Sequence, residues 1–506
     1  MSIPVTMGGI PVARSEQLDL LTKAQFILSK TKTMTDEDII NSLGFLIQTE
    51  DTETFDFLVR ELTAAYIDPT QNTDAILKTI LFYCRAYPIF KDEALKLYGT
   101  AISDTRKKIY HFRILRYLLK QGIYEINDIK LIISKYPISY ENQFYLLILH
   151  FTPELETDDP EKFNLILEKI QGFEYLSQTY RSLLDEYIIQ PLSTSKFNKH
   201  KKWIHTSAFL EYGLEEDSIL KKVLAGDENA ILSFAKGEFA FSQPPLYPNQ
   251  FLAYQPHPLM ICALFGLIKP IATQPYLCAR LKDNTNNPFL VYAAAGGNVA
   301  ILEILARNHV ILMKDQSEED EEVAIAHPIT RELGPLGTRA AVPSSLCPAG
   351  TKSHGKNFGA LSAAASNRRL DALFWLLENT NCSQIDLNNA LIESARANFL
   401  AGVRLLVNKG ADINCRGYDD ETPLHAACEN GSIEAAKQIL ITPGVDVEVK
   451  NAKKQTVFHM AAYSGSTRMY KLIEDMQGMD SALLDCYRNS PKTIFESTVK
   501  EMPNVL

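Results

Sequence analysis

Thr422-Pro423-Leu424-His425-Ala426-Ala427, followed by Asn430-Gly431, a helical run to Leu440 and Gly444-Val445-Asp446, is the stretch that decides how this chain folds. Thirty-four residues on, it returns as Thr456-Val457-Phe458-His459-Met460-Ala461-Ala462, with Ser464-Gly465 and Tyr470-Lys471-Leu472-Ile473 after it. The proline has no amide hydrogen to lose in a first helical turn, and the threonine can cap that turn. Paired alanines let helices approach closely. Gly431 and Gly465 permit the left-handed backbone of a helix reversal, and Ile439-Leu440 gives the second helix a buried stripe. Each unit exposes two apolar faces that it cannot bury alone, so neighbours must stack into a solenoid.

Working outward, the frame persists in weaker form. Ala390-Leu391 through Ser394-Ala395, then Val403 to Val407 and Gly410-Ala411-Asp412-Ile413-Asn414, make one unit. Ala360-Leu361, Ala364-Ala365 and Leu373-Phe374-Trp375-Leu376-Leu377 make another, with Arg368 at its glycine position. Pro288-Phe289-Leu290, Ala293-Ala294 and Gly296-Gly297 precede a helix from Val299 to Leu305. Two further candidates are Pro258-Leu259 with Cys262-Ala263 and Gly266, and Leu220 to Phe234 around Ala225-Gly226-Asp227. In the first of these, Pro270 and Pro275 should shorten or kink the second helix.

The repeated unit resembles the ankyrin repeat, on Thr422, Pro423, Leu424, His425 and Gly431 and again on Thr456, His459 and Gly465. The resemblance implies a solenoid of helix pairs with short hairpin fingers, and a structural role for His425 and His459. It also implies that a protein partner binds the concave face made by finger tips and first helices. Candidate contacts there are Arg416, Tyr418, Asp419 and Asp420 on one finger and Lys450, Lys453 and Lys454 on the next. Glu429, Asn430, Tyr463 and Ser464 lie at helix ends.

At 506 residues, more than one domain is expected. Residues 15–190 show apolar positions at helical spacing, such as Ile39, Ile40, Leu43, Leu46 and Ile47, and almost no strand-type alternation. Thr35 with Asp38 has capping-box spacing, and Asp159-Pro160-Glu161 puts proline at a first helical position. The expected fold is all-α. A disordered N-terminus, 1–14, leads to an α-helical domain of about eight or nine helices, 15–190, and a basic linker with connecting helix, 191–217. Degenerate ankyrin repeats follow over 218–480, and a C-terminal tail over 481–506. Six of the eight residues from Asp315 to Glu322 are acidic and a Pro/Gly-rich run follows, so 314–356 reads as a flexible loop interrupting the repeats.

Composition narrows the function. A net charge of -10 disfavours a chain that coats nucleic acid, although Lys196, Lys199, His200, Lys201 and Lys202 beside Phe197 and Trp203 form a local basic cluster. A solvated linker is a simpler reading of that cluster than a patch for nucleic acid or an anionic lipid surface. The longest apolar run, Phe144 to Phe151, is far short of the roughly 20 residues that span a bilayer, and the N-terminus lacks the pattern of a secretory signal. Eight cysteines without C-x-x-C pairing point to a reducing, cytoplasmic compartment, with neither a disulfide framework nor a metal cluster.

No nucleotide-binding, metalloprotease, hydrolase-elbow or kinase motif is present, so no catalytic residue, metal ligand or cofactor is assigned. Cys84 sits on the apolar stripe of a predicted helix, where a buried thiol is the simpler reading than a nucleophile. The overall design is similar to that of ankyrin effectors that intracellular bacteria of the Legionella kind inject through type IV secretion. That likeness would place the partner in a host cell. The other readings are a cytosolic adaptor, and an enzyme whose helical domain, a cysteine hydrolase or transferase, acts on what the repeats recruit.

Overall fold

The computed structural model describes residues 15–49, 51–68, 70–101, 105–136, 140–173, 176–184, 188–189, 210, 218–224, 227–236, 251–308, 359–476 and 480–499. The segments 1–14 and 314–356, and all of 191–217 except Leu210, lie outside them. Among the described residues the chain is all-α, with 26 α-helices and no strand beyond one isolated bridge, Lys282 to Pro288.

The N-terminal helices are α1 (Ser15–Leu28), α2 (Asp36–Leu43), α3 (Thr52–Ile67), α4 (Thr73–Ala86) and α5 (Pro88–Gly99). They continue with α6 (Thr105–Lys120), α7 (Ile126–Lys135), α8 (Glu141–Asp158), α9 (Pro160–Gln171) and α10 (Gln178–Leu184). Local chemistry sets their ends. Thr35 and Asp38 form a reciprocal capping box on α2, and Asp159 caps α9 with Pro160 at its first position. Tyr87 closes α4 and opens α5 at Pro88. Among the described residues this unit has ten α-helices where eight or nine were expected.

Helix α8 carries Phe144, Tyr145, Leu146, Leu147, Ile148, Leu149 and Phe151, all buried, so it is wrapped on every side and forms the axis of this unit. Burying each large apolar side chain stabilises by roughly 1.5–3 kcal/mol. Lys108, also buried, donates to the carbonyls of Tyr98 and, at 2.6 Å, Thr100, satisfying the end of α5.

The C-terminal half is a column of helical hairpins. Their first, inner helices are α11 (Ile219–Leu224), α13 (Pro258–Leu264), α16 (Phe289–Gly296), α18 (Ala360–Ser366), α20 (Gln384–Arg396), α22 (Pro423–Glu429) and α24 (Val457–Tyr463). The outer partners are α12 (Glu228–Ala235), α14 (Ile268–Thr273), α17 (Val299–Arg307), α19 (Leu370–Asn379), α21 (Leu400–Asn408), α23 (Ile433–Leu440) and α25 (Thr467–Glu474). The expected effect of Pro270 and Pro275 is visible as a short α14 followed by a one-turn α15 (Pro275–Cys278). From α13 onward each inner helix packs on the next, and α16 packs directly on α18, so the stack continues across the sequence break between them.

Inside the segment expected as a tail, α26 (Pro491–Val499) packs on α24 and stacks Phe495 on Tyr470 with ring centroids 4.0 Å apart. Ala225 and Gly226, between α11 and α12, lie outside the described residues, and each of the six later helix pairs turns at a left-handed residue. Glycine fills that position at 266, 297, 431 and 465, whereas Arg368 (φ 60°) and Asn398 (φ 54°) fill it elsewhere. Gly296, beside one of these turns, has no room for a side chain: a Cβ there would overlap the Ala263 carbonyl oxygen and lie 2.8 Å from that of Leu264.

Candidate interaction face on the fingers and inner helices

The fingers are tight turns closed by backbone bonds: Gly417 N–H to Glu421 O (2.9 Å), Asn451 N–H to Gln455 O (2.9 Å) and Asp485 N–H to Asn489 O (3.0 Å). They also bond to each other. The Ala452 N–H donates to Asp419 O at 2.8 Å and the Cys486 N–H to Lys453 O at 3.0 Å, so the finger tips form a connected edge.

His425 ties the helix to the finger. Its Nδ1 accepts from the Thr422 hydroxyl at 2.8 Å, while Nε2 donates to the carbonyl of Gln455 at 3.2 Å. His459 repeats this with Thr456 Oγ1 (2.9 Å) and the Asn489 carbonyl (3.3 Å). These partners require one neutral tautomer. Burial pushes the pKa of His425 down to about 4 and lowers that of His459. Both imidazoles are therefore struts. Thr422 and Thr456 supply the matching caps, Pro423 opens α22, Leu424 is buried, and Gly431 and Gly465 make the turns.

The residues proposed from sequence as contacts fall into distinct environments. Arg416, Tyr418 and Asp420 stand exposed on one finger, and Lys450 and Lys454 on the next. Asp419 and Lys453 are instead joined across the two fingers at 2.7 Å. Asn430, also exposed, donates to Ala426 O, and Ser464 donates to Ala461 O while accepting from the Ser466 N–H. Those two finish their helices.

Glu429 and Tyr463 occupy the same place on successive inner helices, and Arg396 precedes them in α20. Arg396 was not among the expected residues. Its guanidinium lies 3.3 Å from Glu429, 3.6 Å from Glu421 and 3.6 Å from Glu393. Burial opposes its charge, but the three carboxylates outweigh that and raise its pKa. Tyr463 leans back toward the fingers, where Gln455 Nε2 donates to its hydroxyl at 3.4 Å and to Asp485 at 3.1 Å.

The last finger adds Tyr487 and Arg488, both exposed, which sequence reading also left out. The available signal was Ser490-Pro491, thirty-four residues after Thr456-Val457. Tyrosines 418, 463 and 487 are 55%, 40% and 62% exposed, enough aromatic surface for a partner to cover.

In the helical unit, Cys84 is buried and its thiol is pushed up to about 12, so it supplies no thiolate near neutral pH. A cavity of about 300 Å³ between α7, α8 and α9 is lined chiefly by Leu131, Ile133, Leu155, Phe163 and Ile166, with neither cysteine nor histidine in its wall. Among the described residues no group of His, Cys, Asp and Glu could hold a metal ion, and no helix is long and apolar enough to cross a membrane.

Residues 361–451 match the family model for ankyrin repeats, in three copies. No curated protein matches the chain. The matched region covers α18 to α23 and the fingers between them, and it identifies this part of the chain as a protein–protein interaction module.

Proposed function

We propose that the chain binds its protein partner on the finger tips and inner-helix face from Arg396 to Arg488, with Tyr418, Tyr463 and Tyr487 as anchors. The observation that carries this reading is the exposure of Tyr418 and Tyr487 on the connected finger edge and of Tyr463 on the inner helix beside it. Tyrosine offers a large, rigid contact area with a polar tip, and residues of this kind dominate binding energy when a partner covers them. Arg416, Asp420, Lys450 and Lys454 form a polar rim around them. Asp419, Lys453 and Glu429 take part in internal ion pairs and serve mainly to set the shape of the face.

The test is affinity capture with the full chain and with a Tyr463→Ala/Tyr487→Ala variant, followed by cross-linking of the captured protein through Lys450 and Lys454. Loss of capture in the variant, with cross-links to those lysines, supports the assignment. Equal capture by both chains refutes it.

The finer reading, a type IV secreted effector acting on a host protein, is supported by likeness of design alone. A translocation reporter fused to the full chain and expressed in a secretion-competent bacterium tests it, and absence of signal in the host cell removes it. A cytosolic adaptor is the same binding protein without that export step. The third reading, a cysteine enzyme in the helical unit, draws no support from Cys84, whose thiol is buried and hard to ionise.

A further inference from the structure

Residues 15–189 carry no assigned role, yet they are not a separate bead. Along the inner-to-outer turns and the first two turns of the outer helices the stack presents a row of cations: Arg368 and Arg369 before α19, Arg404 in α21, Lys437 in α23 and Arg468 in α25. Each meets a carboxylate of the helical unit. Arg368 pairs with Glu61, Arg369 with Asp68 and Arg404 with Asp19. Lys437 lies 3.2 Å from Glu53, and Arg468 lies 2.6 Å from Asp56 and 3.7 Å from Glu93.

Apolar and polar contacts fill the space between the charges. Leu400 from α21 is buried in the core of the helical unit, and Ile441 packs against that core. Gln25 Nε2 donates to the Asn398 carbonyl at 2.8 Å and to Glu61 at 3.1 Å. A ladder of like pairs could slip by one repeat. One pair of opposite sense, Lys30 with Asp371 at 3.8 Å, and the bond from Gln25 to the Asn398 carbonyl break the repetition of that ladder.

Arg369 reaches furthest. Its Nε donates to the Ala295 carbonyl at 2.8 Å, its Nη1 to Thr70 Oγ1 at 3.0 Å, and it is ion-paired with Asp68. One guanidinium thus joins α16, α18 and the helical unit at the place where the repeats are interrupted in sequence.

We propose that the N-terminal helical unit is an internal brace: the turn edge of the stack binds α1, α3 and α5 of its own chain, and this sets the curvature of the finger face. The repeats need it because their consensus is eroded. Arg368 and Asn398 replace glycine at left-handed turns, and a long insertion divides the units. A solenoid is held by nearest-neighbour contacts alone, so a body that touches several units at once ties together units that do not touch each other.

The experiment uses the full chain in three charge-reversed forms: D19K/E53K, R404E/K437E, and the two combined, because these two ion pairs exchange charge one for one. Thermal unfolding and the radius of gyration by small-angle scattering are read for each. The wild type should unfold in one transition. Each double variant should split that transition in two and enlarge the radius, and the combined variant should restore both wild-type values. A double variant that keeps the single transition and the wild-type radius overturns the proposal. Loss of helical circular dichroism in both doubles without recovery in the combined chain overturns it as well, because complementary charge would then not be what joins the parts.

Discussion

Arg368, a left-handed residue at φ 60°, is ion-paired with Glu61, which is buried in the helical unit. A non-glycine residue in this conformation costs on the order of 1 kcal/mol. It persists because its side chain neutralises a carboxylate that water cannot reach. Burial pushes the Glu61 carboxyl above its ordinary range, and Arg368 and Gln25 offset only part of that.

Replacing Arg368 by the consensus glycine should therefore destabilise the protein. Glycine relieves the backbone, but an uncompensated buried charge costs about 3–5 kcal/mol. The sign of the pH dependence follows from the raised pKa. A carboxyl whose folded pKa is raised favours folding at low pH, and that contribution is lost as pH rises through the folded value. The penalty in R368G should shrink in acid, and E61Q in the same background should remove most of it at neutral pH. Urea titrations at two pH values check both points. An R368G chain as stable as wild type at neutral pH would mean that the pair gives no net stabilisation.

His425 makes a second pH prediction, of opposite sense. Its folded pKa of about 4 lies below the ordinary 6.5, so its contribution is complete above 6.5 and is lost as pH falls toward 4. The full effect is about 3 kcal/mol. His150, buried in α8 and pushed down to about 3, adds to the same slope. In H425Q the loss of stability between pH 6.5 and 4 should be visibly shallower than in wild type. A slope unchanged by the substitution would show that His425 already takes up a proton in the folded chain.

Glycine substitutions should separate crowding from backbone strain. At Gly410 (φ 92°) a Cβ meets nothing within 4 Å, so G410A should cost about 1 kcal/mol from conformation alone. At Gly296 the obstacle is the backbone of α13, and G296A must push two inner helices apart. Its cost should exceed that of G410A by about 1–3 kcal/mol. Denaturant midpoints decide the order, and equal midpoints would mean that α13 and α16 can separate freely.

What could be read from the chain was what is local. The Thr422 cap, the proline at the start of α22, the turn at Gly431 and the capping box at Thr35 each involve residues within about ten positions of one another. Even the replacement of glycine by Arg368 was visible from the frame. The unit at Ser490-Pro491 was missed because Thr493 stands where histidine is expected and no alanine pair follows. Arg396 was missed because its meaning depends on Glu421 and Glu429, carried by the next unit. Least legible of all were Arg404, Lys437 and Arg468. On their own helices they look like solvated surface, and their partners lie hundreds of residues earlier in α1 and α3. Tertiary approach, which has no local signature, gives those charges their role.

The binding face yields the last prediction, and the two terminal tyrosines are its sharpest probes. Tyr487 is 62% exposed, and the hydroxyl of Tyr463 accepts one hydrogen bond, from Gln455, which keeps Asp485 and the Asn451 amide as partners. Truncating exposed side chains of this kind changes stability by within about 0.5 kcal/mol. If they are anchors, the same truncations should each weaken partner binding by about 2 kcal/mol or more, roughly thirtyfold. Y463A and Y487A should thus melt like wild type and bind far less, as measured by calorimetry once a partner has been captured. Arg396→Ala should behave differently, since it strips the counter-charge from Glu421 and Glu429 and should lower stability and affinity together. Were Y487A to bind normally while Y463A and R396A bound weakly, the inner-helix column rather than the finger edge would be the contact surface.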